Sequence, residues 1–145
     1  MKQILYINFF ICILLNSLYC NTYATNPLSK TDQEITTILT NIQQAKCKNF
    51  ADKLVFISKI FINKPYLFNA LGEGQKGAFD DNPLYRTDFF DCETYVDTVM
   101  ALAFATNLKS FQKVINQIRY KNGKISFTKR NHFTCIDWNQ NNQKQ

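Results

Sequence analysis

Phe90-Asp91-Cys92-Glu93-Thr94-Tyr95-Val96 is the stretch on which the reading of this chain turns. Asp91 is a favoured N-cap residue, so the helix it predicts starts with Cys92 in its first turn. Val96, Val99, Met100, Ala103 and Phe104 recur at helical spacing, giving that helix an apolar face, and its alanines suit a tightly packed central position. The unpaired N–H groups and macrodipole of a helix start stabilise negative charge, which favours a thiolate there. Cys92 is therefore the candidate nucleophile. The competing reading of Cys92 as a small buried hydrophobe stays open on these residues alone.

Upstream, residues 64 to 91 hold Pro65, Gly72, Gly74, Gly77 and Pro83 and read as a long loop, a length usually functional or disordered. Tyr66, Phe68, Phe79, Tyr85, Phe89 and Phe90 argue against disorder. Before the loop, Ile35, Ile38, Leu39 and Ile42 predict a helix from Thr31 to Ala45, capped by Ser29 or Thr31. Phe50, Leu54, Ile57 and Phe61 predict a second from Phe50 to Ile62, closed by Pro65.

Downstream, Phe111, Val114 and Ile115 predict a helix from Phe111 to Gln117 capped by Ser110. Asn122-Gly123 then separates Ile118-Arg119-Tyr120-Lys121 from Lys124-Ile125-Ser126-Phe127. Asn-Gly between such segments is the strongest short hairpin signal, because a type I′ turn needs positive φ at both central residues. Two strands alone are marginal, so the hairpin predicts a sheet that has only begun.

The first residues argue for export. Lys2 gives a positive start, Ile4 to Leu18 is apolar apart from Asn8, Asn16 and Ser17, and Thr22-Tyr23-Ala24 offers a cleavage site. The run is shorter than the ~20 apolar residues of a spanning helix, so a membrane anchor is the weaker reading. A lipoprotein would carry its lipid on Cys20, but Tyr19 is bulky where such sites want a small residue. Cleavage leaves about 120 residues, enough for one domain from 25 to 145 with one core. The composition, 46% hydrophobic and 19% charged, is that of a globular protein. The formal charge of +6 is spread along the chain, which reads as a solvated surface with no nucleic-acid signature. Loss of the leader takes five cysteines to three, Cys47, Cys92 and Cys135, and an odd count leaves a thiol unpaired or paired between chains.

His132 is the only histidine and so the only imidazole base on offer, although an ordinary surface histidine reads equally well. His132-x-x-Cys135 has metal-ligand spacing, but no second Cys-x-x-Cys accompanies it, so no metal is expected.

A longer series now comes into view: Asn63-Lys64-Pro65-Tyr66, Leu71-Gly72-Glu73-Gly74, Pro83-Leu84-Tyr85-Arg86, the Cys92 block, Ala101-Leu102-Ala103, Ile118-Arg119-Tyr120, Asn122-Gly123, Arg130-Asn131-His132-Phe133 and Asp137-Trp138. Over about residues 60 to 140 this resembles the NlpC-type, papain-like cell-wall cysteine hydrolases. More narrowly, it is similar to a branch, long described as a domain of unknown function, whose members act as N-acetylmuramoyl-L-alanine amidases. The resemblance implies Cys92 as nucleophile, Tyr66 as a hydroxyl beside it that polarises the scissile carbonyl, and His132 near the site. It implies that Arg130 and Trp138 line the site and that Asp91, Tyr85 and Arg86 bind substrate with Arg130. Trp138 by itself reads better as a hydrophobic plug under the sheet, and a core aromatic is the alternative for Tyr66. The superfamily commonly carries its base on a strand after the nucleophile helix, in a His-Val-Gly-like motif that this sequence lacks. Two expectations follow: His132 is the base, or the base belongs to a C-terminal part missing from a truncated chain.

The expected fold is therefore α+β and papain-like, with N-terminal helices and a nucleophile helix packed on an incomplete antiparallel sheet. The expected protein is a periplasmic or secreted monomer without cofactor or stable membrane anchor, acting on peptidoglycan or muropeptides. A truncated relative that only binds muropeptides, and a fragment without function, are the alternatives.

Overall fold

The computed structural model describes residues 27–143, so the expected leader at 1–24 lies outside the described residues. Four helices make the body: α1 (Lys30–Gln44), α2 (Phe50–Ile60), α3 (Cys92–Phe104) and α4 (Leu108–Arg119). A π-helical turn at Thr134–Trp138 leads into the short α5 (Asn139–Asn142). None of the described helices is long and apolar enough to cross a membrane.

The helix starts follow from capping chemistry. Ser29 accepts from the Asp32 N–H at 3.1 Å and Asn49 from the Asp52 N–H at 2.8 Å, each satisfying a donor that the first turn leaves free. At α4 the cap is Asn107, not Ser110. Asn107 Oδ1 accepts from the Ser110 N–H at 2.9 Å while Ser110 Oγ accepts from the Asn107 N–H at 3.0 Å, so the serine is the returning half of a capping box.

α3 is the central element, packed between α2 and α4, and α1 lies across α2 and α4. The core is continuous: Ile35, Leu39 and Ile42 of α1, Ile57 of α2, Val99, Ala101 and Leu102 of α3, and Phe111, Ile115 and Ile118 of α4. Ala101 and Ala103 let α3 sit close to its neighbours, as its composition predicted. Its buried face is rotated from the expected one, however: Val96 and Phe104 are exposed, and Thr94, Asp97 and Thr98 are buried instead.

The expected α+β, papain-like architecture is not what the chain adopts. The described residues are mainly helical and contain no sheet, only isolated bridges pairing Tyr66 with Phe90 and Tyr120 with Arg130. The hairpin fails for a local reason. Asn122 (φ 57°) and Gly123 (φ 67°) do take the positive φ that an Asn-Gly turn asks for. But Phe111, Ile115, Ile118 and Arg119 form one buried helical stripe, so α4 takes the first two residues of the expected strand and Lys121 enters the turn, leaving Tyr120 alone extended, and packing overrides strand propensity. On the other side, Phe127–Lys129 winds into a 3₁₀ turn.

The long loop is ordered by its ends. The Leu67 N–H donates to the Phe90 carbonyl at 3.0 Å and the Phe90 N–H to that of Pro65 at 3.2 Å, setting Tyr66 beside the start of α3. Further in, Tyr120, fully buried, donates its hydroxyl to the Gly72 carbonyl at 2.7 Å, pinning the loop to the end of α4.

Candidate active site at the start of α3

Cys92 occupies the first turn of α3, and the cap that starts the helix also anchors the loop. Asp91 Oδ1 accepts from the Thr94 N–H at 2.8 Å, the Thr94 hydroxyl accepts from the Asp91 N–H at 3.0 Å, and Asp91 Oδ2 accepts from the Ala70 N–H at 3.4 Å. Asp91 thus spends both oxygens on the backbone. The Cys92 thiol is free and exposed, as is that of Cys135, while Cys47 is half-buried.

A cleft of about 300 Å³ opens over Cys92, and Tyr66, Phe68, Asp91, Arg130 and His132 are among its walls. The structure therefore brings together five of the seven residues singled out from the sequence, Tyr66, Asp91, Cys92, Arg130 and His132. It does not bring Tyr85 or Arg86 to the cleft. Tyr85 sits between helices, donating to Asp32 Oδ1 at 2.5 Å, accepting from Gln112 at 2.7 Å and meeting the Phe111 ring edge-on. Burial, with the Asp32 carboxylate, pushes its phenol up to about 12. Arg86 is held by Asp88 at 2.6 and 3.0 Å with its guanidinium over the Phe89 ring. Both are packing residues.

Arg130 reaches the cleft already engaged. It donates to Glu73 at 2.7 and 2.5 Å, to Asp80 at 2.8 Å and to Asn69 at 3.4 Å. Its visible work is to fasten the loop to the segment that carries His132. That histidine is fixed in turn. Its backbone N–H and that of Phe133 donate to Asp137 Oδ2 at 2.9 and 3.3 Å, and its ring packs on Phe127 with centroids 4.7 Å apart. Ring Nε2 lies 2.8 Å from the Phe127 carbonyl. A carbonyl only accepts, so Nε2 carries the proton and Nδ1 is the basic nitrogen. No hydrogen bond joins Cys92 to His132 among the described residues.

Beneath the cleft lies a polar group that sequence reasoning missed. Asp97, one turn beyond Glu93, is 1% exposed, accepts from Trp138 Nε1 at 2.8 Å, and has Arg119 Nε at 4.0 Å. Arg119 also donates to the Leu84 carbonyl at 2.8 Å. Burial pushes the Asp97 carboxyl up to about 7 against the pull of Trp138 and Arg119. Trp138 is consequently no plug under a sheet but a half-buried clamp, its indole N–H holding the π-helical turn against α3. The signal for Asp97 was a carboxylate on the face that α3 buries, which the assignment of Val96 to that face obscured. Glu73 and Asp80 left no such signal, because their partner Arg130 is far away in sequence.

No metal set offsets these assignments: among the described residues no three His, Cys, Asp or Glu side chains converge.

Comparison with known proteins bears on what such a cleft does. No curated protein sequence matches the chain. Among solved structures, the crystal structure of protein LPG0564 from Legionella pneumophila, of the family designated DUF1460, matches with 46% identity and a TM-score of 0.71. The match covers 77% of this chain and 38% of that one, so the present chain spans well under half the length of that relative. The helical arrangement described above is shared with that structure over the matched part. A family model described as AmiA-like, N-acetylmuramoyl-L-alanine amidase-like, matches residues 56–145, which include the long loop, α3, α4 and every wall of the cleft. The chain belongs to this AmiA-like, N-acetylmuramoyl-L-alanine amidase-like family.

Proposed function

We propose that this protein is an exported cysteine amidase that hydrolyses the amide between the lactyl group of N-acetylmuramic acid and L-alanine in peptidoglycan fragments. The observation that carries the reading is the placement of Cys92, a free, exposed thiol at the capped start of α3, in a cleft shared with Tyr66 and His132. Family membership supplies the substrate class. The Asp91-Cys92 motif supports kinship in chemistry with NlpC-type cysteine hydrolases, and the periplasm or exterior is where such a substrate is met.

In this reading His132 Nδ1 takes the thiol proton and Cys92 Sγ attacks the lactyl carbonyl carbon. The negative charge that develops on the carbonyl oxygen is met by donors at the helix start and by the Tyr66 hydroxyl, an arrangement worth roughly several kcal/mol in acyl transfer. The amine leaves, and water releases the lactyl acid from the thioester. Asp91 and Arg130 serve by holding the cleft in shape rather than by touching substrate, and Tyr85 and Arg86 take no part.

A second reading is favoured by one observation: the His132 ring nitrogen is tied to Phe127, and no thiol–imidazole hydrogen bond has formed. In that reading the cleft binds muropeptides without cutting them.

Mass spectrometry of purified muropeptides incubated with the reduced protein separates the two. Free stem peptide from wild type, and none from Cys92→Ala or His132→Ala, is the expected result. Muropeptide binding by a folded wild type that releases nothing would sink the amidase and leave the binder.

A further inference from the structure

Three hollows meet at Cys92, one of them a shallow one shared with Tyr66 and Tyr95, and Glu93 bears on the other two. His132 borders the main cleft, while a smaller hollow of about 200 Å³ on the other side is walled by Val96, Asp97, Thr134 and Trp138. Glu93 lines both. An amine expelled from a tetrahedral intermediate on Cys92 toward the smaller hollow passes Glu93 and moves away from His132.

The other carboxylates around Cys92 are committed. Asp91 is spent on the helix cap and Ala70, Asp97 on Trp138 and Arg119, Glu73 and Asp80 on Arg130, and Asp137 on the backbone of His132 and Phe133. Glu93 is half-buried, has no ion pair, and has only the Thr134 hydroxyl as a hydrogen-bonding neighbour. Glu93 is thus the carboxylate without an ion pair at the junction of these two hollows, next to Cys92 in sequence.

We propose that Glu93 is a second catalytic residue, the proton donor to the leaving amine. The inference rests on the amidase reading above. Once Cys92 Sγ has bonded to the lactyl carbon, the C–N bond breaks, its electron pair goes to nitrogen, and the Glu93 carboxyl gives that nitrogen its proton. The Glu93 carboxylate then takes a proton from the incoming water as its oxygen bonds to the same carbon. The C–S bond breaks, the sulfur recovers its proton from the His132 imidazolium, and Glu93 is again a neutral acid. The environment suits that neutral form: burial, and after it the Asp91 charge, raise the Glu93 carboxyl above the ordinary range, opposed by Arg119, Thr134 and His132. Asp97, the remaining charged neighbour one turn on, faces Glu93 from the same helix.

The experiment compares wild type, Glu93→Gln and Glu93→Asp on two readouts. In the first, iodoacetamide modification of Cys92 is followed by peptide mass spectrometry from mildly acid to mildly alkaline pH. Where Glu93 is ionised its charge opposes thiolate formation and where it holds its proton it does not, so the wild-type and E93Q alkylation profiles are expected to coincide at the acid end and to part as Glu93 gives up its proton, with E93Q the more reactive. Profiles that coincide throughout the range overturn the proposal, whether or not the protein proves to be an amidase. In the second, muropeptide cleavage is set against hydrolysis of a p-nitrophenyl ester, whose leaving group needs no proton. E93Q is expected to lose roughly a hundredfold on the amide while keeping the first-turnover burst of nitrophenolate, the ester's acylation step, which needs no proton from Glu93. E93D, which keeps an acid but withdraws it, should fall between. Equal losses on both substrates overturn the donor role and leave the amidase reading intact. Absence of muropeptide cleavage by wild type removes the amidase reading and, with it, the donor role.

Discussion

Replacing Arg130 with methionine should destabilise the protein more than it weakens any contact with substrate. The Arg130 side chain is 10% exposed and sits between Glu73 at 3% and Asp80 at 10%. Methionine fills much of the same volume but leaves two buried carboxylates without their cation. One of them, Glu73, already has an oxygen with no partner. Removing one member of a buried pair costs about 3–5 kcal/mol, chiefly because the stranded charge must stay buried or be neutralised. Against a typical stability of about 5–15 kcal/mol, that removes a large share of the margin at neutral pH. The assay is urea unfolding followed by tryptophan fluorescence, since Trp138 lies at the edge of the same core. Removing the stranded charges with the buried cation should restore stability, so Arg130→Met/Glu73→Gln/Asp80→Asn is expected to recover most of the loss. A loss below about 1 kcal/mol in R130M, the range of an exposed pair, would refute the claim that this contact fastens the loop. So would a triple variant no more stable than the single one.

Asp97 gives a pH dependence of defined sign. Its carboxyl rises on folding from 3.8 to about 7, so the native state holds the proton more tightly than the unfolded chain. Its effect is most favourable below the unfolded value and declines as pH climbs toward 7, by at most about 4 kcal/mol for a shift of about three units. Thermal unfolding of Asp97→Asn should show a flatter slope than wild type between about pH 4 and pH 7, and parallel slopes would contradict it. Asp80 and Asp88, whose carboxyls are lowered, act in the opposite sense at more acid pH, below that window. Asp91→Ala should cost about 1 kcal/mol through loss of the α3 cap, whereas Asp91→Asn, still able to accept from the Thr94 N–H, should cost less. Chemical denaturation of both variants measures this, and equal losses would assign the stabilisation to charge rather than to the cap.

The helices were legible because each is written locally. Ile35, Ile38, Leu39 and Ile42 placed α1 within a residue at either end, and Asp91 fixed the start of α3 at Cys92. The Cys92 cleft was legible for the same reason, its central residue being announced by its own neighbours. The hairpin misled because Asn122-Gly123 specifies a turn and says nothing about what flanks it. Tyr120 and Arg130 pair there by a single bridge. What could not be read were pairings between distant residues: Arg130 with Glu73 and Asp80, Trp138 with Asp97, Tyr120 with Gly72. No periodicity encodes such contacts, and they decide which candidate residues line the cleft free of other partners and which hold the loop.

The bridge between Tyr66 and Phe90 makes the long loop a closed excursion, leaving and rejoining the body at one place. Chain length in such an excursion is nearly free, since doubling a flexible loop adds only about 0.6 kcal/mol of closure entropy. Tyr66 and Cys92 keep their mutual position whatever happens at the exposed tip near Gln75 and Lys76. Relatives can therefore vary that tip, by insertion or deletion, and change what it meets without resetting the distance between hydroxyl and thiol. The fold separates the Tyr66–Cys92 pairing at the base of the loop from the tip, on which variation can act.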